Sequence, residues 1–298
     1  METDSVPADD PPRRVELSLR DGYATYGWLY APAGDGGQPR PPVVYVHGIQ
    51  SHPGWFTRSC GALARAGHAV LAVARRGSGE NTVARGHARS AWQLMEDLDD
   101  AVVWMCKHTG AAKAHLVGVS WGGKLAAAYC QAVSGGRATR DQFVVRVASL
   151  TLVAPGIVPR VDVGWRTKLA VASSLVGRPG RLFDIPLSDV ALFTDNEAGR
   201  AFLRGDPHRL TRATARFLFA SRVLDWRLSR AGAGGLTVPT TLLLASRDRI
   251  IDNDATATAI RRLTGGNARV VTLNGAHTMD FEESPDEFLT TLAAATGY

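Results

Sequence analysis

Cysteine is scarce in this 298-residue chain: Cys60, Cys106 and Cys130 are odd in number and far apart, and no Cys-x-x-Cys or His-Glu-x-x-His spacing occurs. A disulfide framework and the common zinc ligand sets are thereby excluded, and neither a metal nor another cofactor is expected. The three thiols read as small buried apolar groups on helices. Long apolar runs are missing as well. Nothing approaches the roughly 20 residues of a membrane span, and the first residues lack the basic-then-apolar layout of a secretory signal, so a cytoplasmic protein is expected. Lysine is nearly absent, 4 residues against 30 arginines, so almost every surface cation is a guanidinium.

The net charge of +6 is unevenly placed: residues 158–232 hold 13 Lys+Arg against 7 Asp+Glu, and the rest of the chain is balanced at 21 of each. Such a segment can meet nucleic acid, an anionic lipid surface or an acidic substrate. No stacking aromatics or groove-reading motif accompany it, so nucleic acid is not expected. Peripheral contact with anionic lipid is one reading; arginine as this chain's preferred surface cation is the other.

What is present is a regular alternation. Residues 1–14 carry Pro7, Pro11 and Pro12 among acids and small side chains, a composition expected to be disordered. Val15–Arg20 and Ala24–Ala31 flank Asp21-Gly22 and predict an antiparallel hairpin. A Gly/Pro-rich loop over Pro32–Pro42 follows. Short apolar runs at Val43–Val46, His68–Ala74, His115–Val117, Val144–Val153, Thr240–Ala245 and Arg269–Leu273 predict strands. Between them Trp55–Ala66, Ser90–His108, Leu125–Tyr129, Asn253–Leu263 and Ser284–Ala295 predict helices, the last with Ser284 as N-cap. The acidic run Glu96–Asp100 is expected on a solvated helix face. Strand–helix alternation implies an α/β fold, a mostly parallel sheet of about eight strands with helices on both faces.

From Val158 to Gly232 the alternation stops. His208–Leu228 places Leu210, Ala213, Phe217, Leu224 and Leu228 on one helical face. The expected organisation is a lead-in (1–14), a core (15–157 and 233–298) and an inserted helical lid (158–232) over the C-terminal strand edge, where open α/β sheets bind ligands.

Three features at that edge carry chemistry. Gly118-Val119-Ser120-Trp121-Gly122 joins an apolar strand to an alanine-rich helix, and G-x-S-x-G there is a nucleophile elbow. The sharp turn leaves no room for side chains at Gly118 and Gly122, and it aims the Trp121 N–H at charge forming above Ser120. The strand Val43–Val46 runs into His47-Gly48-Ile49-Gln50, whose loop can bring the Ile49 N–H opposite that of Trp121 and complete an oxyanion hole, with His47 holding the loop. The third feature is a pair of strand-end loops, Ser246 to Asp252 and Asn274 to Asp280. The loop Arg75-Arg76-Gly77-Ser78-Gly79-Glu80-Asn81 lacks a P-loop lysine and a following helix, so phosphate binding there is a weak reading.

Together these residues resemble the α/β-hydrolase family from Val15 onward, in its chain order of Ser, Asp and His. HGIQSH, RRGSGEN and the mid-chain insertion look most like its lysophospholipase and monoacylglycerol-lipase branch. The resemblance implies Ser120 as nucleophile, His277 as general base and Asp248 as its orienting acid. Asp252 and Asp225 are the alternative acids. Ala74 stands where relatives often carry Asp before the Arg-Gly-Ser-Gly loop, so any role of that carboxylate is absent or supplied elsewhere. The implied activity is hydrolysis of a small-molecule ester with an apolar acyl chain through an acyl-enzyme. A thioesterase or acyltransferase using the same three residues, or a binding module, are the other readings.

Overall fold

The computed structural model describes residues 11–33, 40–134 and 146–296. The hairpin expected around Asp21-Gly22 is β1 (Arg13–Ser18) and β2 (Ala24–Tyr30), with Gly22 at φ +81° in the turn. β1 begins at Arg13, which pairs with Leu29, two residues earlier than composition suggested. β3 (Val43–Val46), β4 (Val70–Val73), β5 (Ala114–Val119) and β9 (Thr240–Ala245) are buried at every position, as continuous apolar runs require when a sheet is covered on both faces. β6 (Val147–Val153) and β10 (Arg269–Leu273) complete one sheet of eight strands in the order β1-β2-β4-β3-β5-β6-β9-β10. Pairing is antiparallel from β1 to β4 through β2, and parallel from β4 onward. Residues 144–145 of the expected sixth strand, and most of the Pro32–Pro42 loop, lie outside the described residues.

The helices start and stop where side-chain chemistry dictates. α1 (Thr57–Arg65) ends before Gly67 at φ +89°. In α2 (Ala91–Thr109), the Ser90 hydroxyl accepts the Gln93 N–H at the start, and Gly110 closes the helix in the left-handed region. α3 (Trp121–Ser134) follows the elbow. α7 (Asn253–Leu263) is capped by Asp252, and α8 (Asp286–Ala295) starts behind Pro285 rather than Ser284. α1 packs on α8 and α2 on α3, covering the two faces of the sheet. All three cysteines are buried and free.

Two further expectations need correction. The acidic run on α2 is not a solvated face: the Asp97 and Asp99 side chains are only 12% and 4% exposed, paired with Arg76 at 2.6 Å and Arg20 at 2.5 Å. Tyr129 also donates to Asp99, so this run ties α2 to the Arg75-Arg76 loop, the β1–β2 hairpin and α3. Arg76 additionally meets Asp21, so the carboxylates serving this loop come from Asp21 and Asp97. Secondly, the amphipathic helix does not begin at His208. Arg212–Thr214 is a short strand, β8, paired with β7 (Leu182–Asp184), and the Thr214 hydroxyl caps α6 (Ala215–Arg230).

The segment 158–232 also contains α4 (Trp165–Gly177) and α5 (Glu197–Gly205). Its two long helices differ sharply. α6 buries Phe217, Ala220, Leu224 and Leu228 completely or nearly so, against α3 and α2. α4 rests on α6 and buries only Ser174, leaving Trp165, Leu169 and Val176 at 67%, 61% and 93% exposure.

Candidate active site

Ser120 sits where β5 turns into α3, with φ +53°, a left-handed conformation that costs a non-glycine residue roughly 1–3 kcal/mol. The turn is held from both sides. Ser120 N–H donates to the Val153 carbonyl of β6 at 2.9 Å, and the Ser120 carbonyl accepts from Gly123 N–H at 2.9 Å and Gly156 N–H at 2.8 Å. The flanking glycines are required by contact: a Cβ on Gly122 would lie 2.4 Å from the carbonyl oxygens of Val46 and His47, and one on Gly118 would lie 2.7 Å from Gly123 Cα.

His277 and Asp248 come from the loops after β10 and β9. His277 Nε2 is 2.9 Å from Ser120 Oγ, and His277 Nδ1 is 2.7 Å from Asp248 Oδ2. Both side chains are buried, at 1% and 0% exposure, while Ser120 keeps an open side. The second carboxylate oxygen, Asp248 Oδ1, accepts the N–H groups of Ile250 at 2.8 Å and Ile251 at 3.0 Å, which fixes the carboxylate plane. In this arrangement Nδ1–H donates to Asp248 and Nε2 is free to accept the Ser120 hydroxyl proton.

The loop after β3 closes the site from the other side. A Cβ on Gly48 would lie 3.3 Å from Ser120 Cβ, so the Gly48–Ile49 peptide abuts the serine. His47 is buried; its Nδ1–H donates to the Gly48 carbonyl at 2.8 Å, and its Nε2 accepts the Arg75 N–H at 3.0 Å. Burial, and then the Arg75 charge, hold its pKa well below the ordinary histidine value, so the ring is neutral. Among the described residues, the N–H groups of Ile49 and Trp121 have no protein acceptor. All nine sequence-predicted residues, His47, Gly48, Ile49, Gly118, Ser120, Trp121, Gly122, Asp248 and His277, therefore meet at one strand edge.

The alternatives are spent elsewhere. Asp252 caps α7, and Asp225 faces Lys124 Nζ at 2.8 Å. His68 bonds Pro41 and Thr296, His115 bonds Ser149 and Thr151, and His52 faces Asp206 at 3.1 Å. Among the described residues, no group of three or more His, Cys, Asp or Glu side chains is placed to hold a metal ion.

The bonds that tie 158–232 to this edge have no signal in the sequence. Arg209 Nη2 donates to Gln50 Oε1 at 2.8 Å, and Leu210 N–H to the Gln50 carbonyl at 2.9 Å. Trp121 Nε1 donates to Ser221 Oγ at 2.8 Å. Arg75, read from the sequence only as part of the Arg75–Asn81 loop and its RRGSGEN motif, also reaches this edge, through the Ile49 carbonyl.

A sequence profile of the serine aminopeptidase S33 hydrolases matches residues 37–284, most of the chain. The chain belongs to the serine aminopeptidase S33 family. Membership makes this S33 protein a serine hydrolase of the α/β-hydrolase fold. Solved structures agree on the fold. The monoacylglycerol lipase of Paleococcus ferrophilus superposes with a TM-score of 0.73 at 20% identity, covering 96% of this chain and 98% of that one. A soluble variant of Saccharomyces cerevisiae monoglyceride lipase gives a TM-score of 0.78 at 17% identity, with 99% and 96% covered. A thermostable carboxyl esterase of Bacillus coagulans gives 0.74 at 14%, with 96% and 99% covered. No curated protein sequence matches this S33 member.

Proposed function

We propose that this hydrolase cleaves carboxylic esters of apolar acyl chains through an acyl-enzyme, with Ser120 as nucleophile. The observation that carries this is the continuous line Ser120 Oγ, His277, Asp248, at 2.9 and 2.7 Å, beside two backbone N–H groups that have no acceptor among the described residues. His277 takes the serine proton as Oγ attacks the acyl carbon. Asp248 holds the tautomer and stabilises the imidazolium, and the Ile49 and Trp121 N–H groups receive the developing oxyanion. His277 then gives its proton to the leaving alcohol, and water repeats the sequence to release the acid.

An aromatic side chain beside the base favours an apolar acyl group: Phe193 stands edge-on to His277 at 6.2 Å. The segment 158–232 acts as the lid, with α6 as its fixed floor and α4 as its outer face. Exposed Trp165 and Leu169 beside Arg166 and Lys168 support peripheral contact between α4 and anionic lipid.

The test is hydrolysis of p-nitrophenyl esters from acetate to palmitate by wild type and Ser120→Ala, with thioester, alcohol-acceptor and aminoacyl anilide assays alongside. The expected outcome is ester turnover that rises with chain length and falls by about 10⁴-fold or more in the variant. Turnover of anilides or thioesters but not esters would sink the ester reading while keeping the nucleophile. Equal activity in the two proteins would remove Ser120 from the chemistry.

A further inference from the structure

Arg75, the second residue after β4, is buried, yet its side chain meets no carboxylate among the described residues. Nη2 donates to the Ile49 carbonyl at 2.8 Å, and Nε and Nη1 have no partner among the described residues. The guanidinium carbon lies 5.0 Å from the centroid of the Trp121 ring and 4.9 Å from that of Phe217. Burial pulls its pKa down to about 9, which still leaves it charged at neutral pH. A buried cation without a counter-ion contributes little to folding, and an apolar side chain of the same volume would serve the core better.

Its contacts fall instead on the two residues that supply the oxyanion N–H groups. The direction of the Ile49 N–H depends on the peptides on either side of Ile49. The carbonyl of the first, Gly48, is held by His47 Nδ1–H, and the carbonyl of the second, Ile49, by Arg75 Nη2–H. Arg75 acts on the first peptide as well, because its own backbone N–H occupies His47 Nε2 and so leaves the proton on Nδ1. The second donor, Trp121, lies with its ring against the guanidinium.

Resting on the serine-hydrolase reading above, we propose that Arg75 is the positioning residue of the oxyanion hole, holding the Ile49 carbonyl and the Trp121 ring so that both N–H donors are fixed before reaction. Its positive charge in this enclosed site also favours the anionic tetrahedral intermediate over the neutral ester.

The experiment compares wild type, Arg75→Met and Arg75→Lys in ester hydrolysis, in melting temperature, and in inhibition by a trifluoromethyl ketone and by the matching methyl ketone. The first ketone forms a charged tetrahedral adduct on the serine; the second mimics the ground state. Arg75→Met is expected to lower kcat by about 10²-fold with KM changed less than about threefold. Trifluoromethyl ketone affinity falls by a similar factor, methyl ketone affinity and melting temperature hold, and Arg75→Lys recovers part of kcat. A methionine variant with wild-type kcat overturns the assignment. So does one that loses both ketones equally together with its melting temperature, since that is a purely structural loss. Should Arg75→Met not fold, Arg75→Lys decides: about a tenfold drop in kcat with selective loss of the fluorinated ketone supports the role, and no drop overturns it. Failure of the hydrolase reading looks different, as wild type would then resist labelling by a fluorophosphonate that Ser120→Ala also resists.

Discussion

Asp248 has no exposed side-chain surface, so its influence on any substrate passes through His277. Its Oδ1 already accepts from two backbone N–H groups, which decides the outcome of Asp248→Asn. The amide oxygen keeps those two bonds, and the NH₂ group then faces His277 Nδ1. The imidazole must accept there and carry its proton on Nε2, where it cannot take the proton of Ser120. A loss of about 10⁴-fold in kcat with little change in KM is expected, measured by steady-state ester hydrolysis. Ser120, Asp248 and His277 were legible in the sequence because each follows a strand and because the glycines of the elbow record a contact. Gly122 sits where any side chain would strike the carbonyls of Val46 and His47. Arg75 was not legible, since what matters about it is the distant loop its guanidinium reaches.

At the scale of elements, strands and caps were readable and tertiary pairing was not. The acid run of α2 has the look of a surface face until Arg76 and Arg20 are brought to it by other loops, and residues 212–214 read as helix until β7 offers a partner. One junction between elements has a measurable consequence. Asp280, three residues past His277, accepts both the N–H and the hydroxyl of Ser59 in α1. Burial outweighs those bonds and raises its pKa from 3.8 to about 6. A carboxyl with a raised folded-state pKa supports the fold below the unfolded value and loses that support as pH rises through the folded one. The stability of Asp280→Asn relative to wild type is therefore expected to improve between about pH 4 and pH 6 and to level off above, by up to about 3 kcal/mol. Urea denaturation of both proteins across that range measures it; a difference that is flat with pH would contradict the assignment.

For the whole molecule, the eight-stranded sheet places β5, with strands on both sides, so that three loops converge on its end. The parallel order was readable from alternation, whereas the fixing of α6 to the elbow through Trp121 and Ser221 was not, because it joins residues 100 positions apart. The excess charge of +6 and the exposed apolar face of α4 lie in the same segment. Sedimentation with vesicles is expected to show binding to phosphatidylglycerol but not phosphatidylcholine, weakened by salt and by the double change Trp165→Ser and Leu169→Ser. Binding untouched by the double change would separate the lipid surface from α4.

The backbone of Ser120 carries a further implication. At φ +53° glycine is at ease and serine is not, so Ser120→Gly, a change at the proposed nucleophile, relieves the fold there. Resistance to heat and turnover pull this one position in opposite directions. A lineage selected only to survive high temperature has a short route to a well-folded, inert descendant, and the serine persists there only while turnover itself is under selection.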